Sequence, residues 1–153
     1  MDQFMRRAAE LALKNVQEGG DPFGAVLVKD GEIISEGVNE LHFKYDSSGH
    51  AELLAIRRAQ EKLQTHDLSD HIMYASGEPC PMCLAAMYMA GIEEGYYGIS
   101  IEETATYGMG RSVSLYADFA KPRKERQLKM RQMPLTKEID NPMQVWKKNK
   151  DVK

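Results

Sequence analysis

Two apolar, β-branched runs in GAVLVKDGEIISEG meet at Asp30-Gly31, a dipeptide that readily supplies the positive φ of a tight hairpin turn. From that hairpin the apolar period switches back and forth along the chain. Residues 2 to 18 place Phe4, Ala8, Leu11 or Ala12, and Val16 at helical spacing, with Asp2 as N-cap and Gly19-Gly20 as a stop. SSGHAELLAIRRAQEKL returns to helical spacing through Ala51, Leu54, Ala55, Arg58 and Ala59, with Ser47 or Ser48 as its cap. HIMYAS reads as a strand, CPMCLAAMYMAG as a helix and GYYGIS as a strand.

The order helix, strand, strand, helix, strand, helix, strand predicts crossovers between strands and a layered α/β sandwich. After Ile101 the pattern weakens. YGMGRS reads as a loop, VSLYADFA as a short helix, and KPRKERQLKMRQM as a basic helix or an extended connection.

With 153 residues, 42% of them hydrophobic, the chain has the size of one domain with a single core. No apolar run approaches the roughly 20 residues that a bilayer requires. The N-terminus carries Asp2 and Glu10 and lacks a small-residue cleavage site, which predicts a cytoplasmic protein without membrane contact. Charge is unevenly placed. Residues 1–120 hold 9 Lys and Arg against 19 Asp and Glu, and residues 121–153 hold 11 against 4. A basic end of this kind suits solvent, an acidic body of its own or of another subunit, or a nucleic acid. The only tryptophan, Trp146, lies in it. A lone Trp in a solvated tail exposes a large apolar surface for no gain, so it is expected to be buried against the acidic body.

Cys80 and Cys83 are the only cysteines, too few for a secreted disulfide framework. A Cys-x-x-Cys pair serves as a redox couple, as half of a structural zinc site, or in a catalytic metal site. A closed structural site needs a second pair of ligands, and His42, His50, His66 and His71 offer no suitable pair beside a helix start. A catalytic zinc needs three protein ligands and leaves a position for water. His50 is the candidate third ligand: it opens a predicted helix and has Glu52 two residues on.

His50-Ala51-Glu52 followed by Pro79-Cys80-Pro81-Met82-Cys83 resembles the zinc-dependent cytidine-deaminase-like superfamily, whose signature is His-x-Glu with Pro-Cys-x-x-Cys. The resemblance implies a three-layer α/β/α sandwich with a central mixed sheet. It implies zinc held by His50, Cys80 and Cys83, with Glu52 off the metal as proton shuttle. DPFGAVLVKDG, EGVN, GHAELLAIRRA, EPCPMCLAAMY, KPRKER and PMQVW are similar in order and spacing to the bacterial guanine deaminases. By that resemblance the reaction is guanine to xanthine and ammonia. Asn39 hydrogen-bonds the base, Phe23 lies against its face, and Ala51 completes the substrate contacts.

A homodimer that exchanges residues 121–153 near the active sites is implied as well. The chain departs from that branch at Met89, where a tryptophan is usual, and at Arg111 and Ser112, where an acidic pair is usual. It departs again at its end, Asp151-Val152-Lys153, where an aromatic residue is usual. A site built around hydrogen bonds discriminates strongly between edges of a base. The alternatives are therefore deamination of another heterocycle (cytosine, a triazine, a pterin or a nucleoside), a tRNA adenosine deaminase served by the basic tail, and an inactive metal- or RNA-binding module. Retention of Glu52 speaks against the last, since coordination alone does not require that carboxylate.

Overall fold

The computed structural model describes residues 1–151 and divides into two compact units, Met1–Ala120 and the segment from Lys121 onward. In the first, helix α1 (Gln3–Gln17) leads into strands β1 (Gly24–Lys29) and β2 (Glu32–Val38). The short helix α2 (Leu41–Lys44), α3 (Ala51–Leu63), β3 (Ile72–Gly77), α4 (Pro81–Met89) and β4 (Glu94–Ile99) follow, then α5 (Ile101–Thr106) and α6 (Arg111–Phe119). The sheet order is β2-β1-β3-β4. β1 is antiparallel to both β2 and β3, whereas β3 and β4 are parallel. β2 and β3 therefore run in the same direction and are joined through α3, as β3 and β4 are joined through α4. The mixed sheet and its helical crossovers agree with the fold expected from the sequence.

The layers follow from side-chain alternation. β1 is buried along five of its six residues, as a central strand covered on both faces must be. A β-carbon on Gly24 would collide with the Ala8 carbonyl of α1 and lie 2.8 Å from the Ala12 nitrogen. One on Gly37, which pairs with Ala25 next along β1, would collide with the Ala51 carbonyl of α3. Successive side chains on a strand point to opposite faces, so α1 and α3 lie on opposite sides of the sheet. The main core is on the α3 side, where Ala25, Leu27, Ala51, Ala55, Ala59, Leu68, Met73, Met87 and Ile92 pack together. Burying a side chain such as Leu27 or Met73 contributes about 1.5–3 kcal/mol.

Local signals worked as expected in the hairpin and in α1. Asp30 and Gly31 have φ of 51° and 77°, and the Asp2 carboxylate accepts hydrogen bonds from Phe4 N and Met5 N at 2.8 and 3.1 Å. Two readings change, and a third is decided between its alternatives. The cap of α3 is not Ser47 or Ser48: Ser48 bonds Asp46 Oδ1 through both its N–H and its hydroxyl, and the turn so formed delivers His50 as N-cap. The chain after β4 is more regular than expected. Ser100 and Glu103 form a reciprocal capping box that starts α5, and α6 already begins at Arg111 inside the expected loop. In the second unit the basic stretch forms one 3₁₀ turn, Arg123–Glu125, and then irregular backbone.

The second unit also contains helix α7 (Pro142–Asp151), whose start is marked by Asn141 Oδ1 accepting from Met143 N at 2.9 Å. Within α7, Lys150 Nζ lies 4.9 Å from the ring centroid of Trp146. Val152 and Lys153, part of the C-terminal departure noted above, lie outside the described residues.

Candidate active site

Two helix starts build the site. His50 is the N-cap of α3 with φ −85° and ψ 152°. Ala51 and Glu52 follow in its first turn. Cys80 is the N-cap of α4 with φ −68° and ψ 168°, and Pro81 occupies the first helical position, where a missing N–H costs nothing. Cys83 follows in the same first turn. Neither helix start is capped by a side chain. Unpaired N–H groups and the positive ends of two helix dipoles therefore favour thiolates here.

His50 Nδ1 lies 3.4 Å from Cys80 Sγ, and the ligand atoms of His50, Cys80 and Cys83 all lie within 4.8 Å of one another. Both cysteines are free thiols and buried. One half-buried imidazole and two buried thiols, close together, match the donor set of a three-ligand catalytic zinc site. The residues fit the zinc that the resemblance implies.

Hydrogen bonding from Cys83, helped by His50, pulls the Cys80 thiol down to about 4 against the cost of burial. Cys83 is pushed up, first by its hydrogen bond to Cys80 and then by burial. His50 is raised by its hydrogen bond to Cys80, partly offset by burial. Glu52 is 5% exposed, and burial raises its carboxyl above the ordinary carboxylate value, with Cys83 hydrogen bonding in opposition. A carboxyl held that way exchanges protons at a higher pH than a solvated one.

A recess of about 60 Å³ opens onto these groups, lined by Phe23, Asn39, His50, Glu52, Glu78, Cys80 and Ser112. Asn39 is buried. Its Oδ1 accepts from Leu41 N at 3.0 Å and its carbonyl accepts from Asn15 Nδ2 at 2.9 Å. The side-chain NH2 is thus the group left for the recess. Phe23 packs against Gly77, where a β-carbon would lie 2.9 Å from its ring. Ala51 is fully buried and is not one of the seven lining residues. Met89 is exposed on α4.

Glu78 and Ser112 were not singled out as site residues from the sequence. Glu78 had a signal, its place two residues before Cys80. Ser112, noted in the sequence only as a departure from the guanine deaminase pattern, is brought in from 29 residues beyond Cys83 and lines the recess. A larger groove of about 640 Å³ lies between α4 and β4, lined among others by Met87, Tyr88, Glu93, Glu94, Tyr97 and Tyr116. It holds none of His50, Glu52, Cys80 or Cys83, and so is not where the chemistry sits.

Residues 1–99 match the family model of the cytidine and deoxycytidylate deaminase zinc-binding region. The chain is 42% identical over 147 residues to guanine deaminase of Bacillus subtilis (strain 168), covering 95% of this chain and 93% of the relative. It is 38% identical to a tRNA-specific adenosine deaminase of Aquifex aeolicus (strain VF5), covering 61% of this chain and 62% of that one. The crystal structure of the Bacillus subtilis guanine deaminase superposes with a TM-score of 0.88 at 40% identity, over 97% of this chain and 95% of that one. A guanine deaminase from Nitrosomonas europaea superposes at 0.66 and 31% identity, over 69% and 62%. With its ligand cluster at two helix starts and these likenesses along nearly its whole length, the chain belongs to the cytidine and deoxycytidylate deaminase zinc-binding family of hydrolytic deaminases, as a homologue of guanine deaminase.

Proposed function

We propose that this protein hydrolyses guanine to xanthine and ammonia, with zinc on His50, Cys80 and Cys83 and with Glu52 as the proton shuttle. The observation that carries the reading is the buried Glu52 carboxyl beside the three-ligand cluster, in a chain 42% identical to a guanine deaminase over 95% of its length. Zinc, when bound, supplies a water that ionises near neutral pH. Glu52 takes a proton from the attacking water, gives it to the ring nitrogen beside the amino-bearing carbon, and then moves the proton left on the added hydroxyl to the departing amine as the carbonyl forms. One water is consumed and one ammonia leaves. The Asn39 side-chain NH2 donates to an acceptor on the base, and the Phe23 ring covers the base's face.

Ser112 favours a second reading. It faces the recess with a neutral hydroxyl, so the edge of guanine that carries N–H donors meets a weaker acceptor there than a carboxylate. Another amino-substituted heterocycle, cytosine among them, places fewer N–H donors against that hydroxyl. Ammonia release from guanine, cytosine, adenosine and tRNA at equal concentration separates the two. Guanine is expected to be turned over fastest. Release from cytosine or tRNA with none from guanine would overturn the guanine reading and leave the zinc chemistry in place.

The working unit in this reading is a homodimer in the cytoplasm, with residues 121–153 exchanged as arms. All six residues of β4 are exposed, its free edge is unpaired among the described residues, and the apolar groove beside it has Glu93 and Glu94 on its lining. A basic arm with Met143, Val145 and Trp146 complements such a surface in charge and polarity. Two free thiols that must serve as ligands suit a reducing compartment. No described helix is long and apolar enough to cross a membrane.

A further inference from the structure

The stretch Glu78-Pro79-Cys80-Pro81, which leads from β3 into the first residue of α4, has no backbone N–H at two of its four residues. Few main-chain bonds are left to hold the ligand it carries. Glu78 N donates to Ile99 O at 2.8 Å and Cys80 O accepts from Leu84 N at 2.9 Å, which fixes the two ends. Glu78 Oε2 accepts from Ile101 N at 2.9 Å. Between these anchors, the Pro79 carbonyl accepts a hydrogen bond from the Tyr116 hydroxyl at 2.6 Å. Tyr116 comes from the middle of α6, 37 residues away in sequence.

We propose that Tyr116 is a positioning residue for the zinc ligand Cys80. The peptide between Pro79 and Cys80 is planar, so its carbonyl oxygen and the nitrogen of Cys80 turn together. A hydroxyl that pins the oxygen therefore sets the direction in which the Cys80 side chain leaves the backbone. That direction decides whether Sγ meets His50 and Cys83 in one cluster. Partners one bond removed from a metal ligand tune its orientation in this way. The proposal rests on the reading of Cys80 as a zinc ligand.

The test is Tyr116→Phe in the full chain, which keeps the ring and removes the hydroxyl. Protein loaded with cobalt(II) in place of zinc reports ligand geometry through its visible ligand-field and thiolate charge-transfer bands, and a chromogenic chelator reports zinc release. With an unchanged circular dichroism spectrum, the variant is expected to show shifted cobalt bands and zinc release faster by roughly tenfold. The value of kcat is expected to fall while KM changes little. Wild-type cobalt bands and release rate in a variant that only melts earlier would reduce Tyr116 to a packing role and overturn the proposal. A wild-type chain that takes up neither cobalt nor zinc would overturn the metal reading and this proposal with it. Should the Phe variant not fold, site-specific 3-fluorotyrosine at position 116, which alters the donor and keeps the shape, is expected to shift the same bands. An unshifted spectrum there would also overturn it.

Discussion

A β-carbon on Gly37 would collide with the carbonyl oxygen of Ala51 and lie 3.0 Å from the nitrogen of Ala55, so the first turn of α3 rests directly on the backbone of β2. Ala51 stands between His50 and Glu52, which makes this contact the seat of two functional side chains. Gly37→Ala is expected to push the helix start outward, at a cost of about 1–3 kcal/mol as in other overpacked cores. Because the displaced turn carries His50, zinc affinity should fall together with the melting temperature. Calorimetry and a chelator competition on the same sample check this, and a lowered melting temperature with unchanged zinc affinity would uncouple the contact from the site.

Glu52→Gln removes the proposed proton shuttle and leaves all three proposed ligands in place. Zinc content should stay near that of the wild type while deamination drops by about 10²–10⁴-fold, the range that general acid–base catalysis supplies. Metal analysis and steady-state ammonia release measure the two independently. Near-normal turnover in the variant would show that the proton travels by another route.

Cys80→Ala and Cys83→Ala each remove a ligand, and a site with two left should not retain zinc through purification. Since metal binding contributes to folding free energy, both variants should also melt at lower temperature than zinc-loaded wild type. Their melting temperatures should be insensitive to added zinc. One zinc per wild-type chain is the expected stoichiometry. Well-folded wild type with almost none, purified without chelator, would remove the basis for the assignment.

His71 is buried, and both of its ring nitrogens lack a hydrogen-bond partner among the described residues. Burial lowers its pKa, the charge of Lys29 adds to that, and Asp70, Asp30 and the Leu68 backbone oppose it. The unfolded chain therefore takes up this proton at a higher pH than the folded one. The contribution to stability is complete above the ordinary value of 6.5 and is lost as pH falls from there through the lowered value. Each unit of difference is worth about 1.4 kcal/mol. His71→Leu should flatten the acid side of the stability profile and leave zinc content unchanged, as denaturant melts from pH 5 to 8 would show. An unchanged slope would mean that the ring is protonated as easily folded as unfolded.

Truncation after Met133 removes α7 and Trp146. If the arms are exchanged, the shortened protein should have a lower mass by light scattering, reduced activity and a lower melting temperature. A truncated protein that stays dimeric and fully active would assign the basic arm to some other task. Salt-dependent binding to RNA is the first to measure.

Features carried by neighbouring residues were legible in the amino-acid order. The Asp30-Gly31 turn, the Asp2 cap and the alternation of strand and helix depend on backbone preferences a few residues long, and the tertiary structure keeps them. The candidate site residues were legible for a related reason: His50 with Glu52, and Cys80 with Cys83, each sit within one helical turn, so their spacing alone brings each pair together. Two later signals were equally local and went unread, the Ser100–Glu103 capping box and Asn141-Pro142 before α7. What only the tertiary structure decided was contact across long separations. The approach of the α3 and α4 starts depends on Gly37 yielding room to Ala51. Ser112 reaches the recess, and Tyr116 the Pro79 carbonyl, only because α6 packs against α4. Such contacts are set by the packing of whole elements against one another, and no short-range preference encodes them.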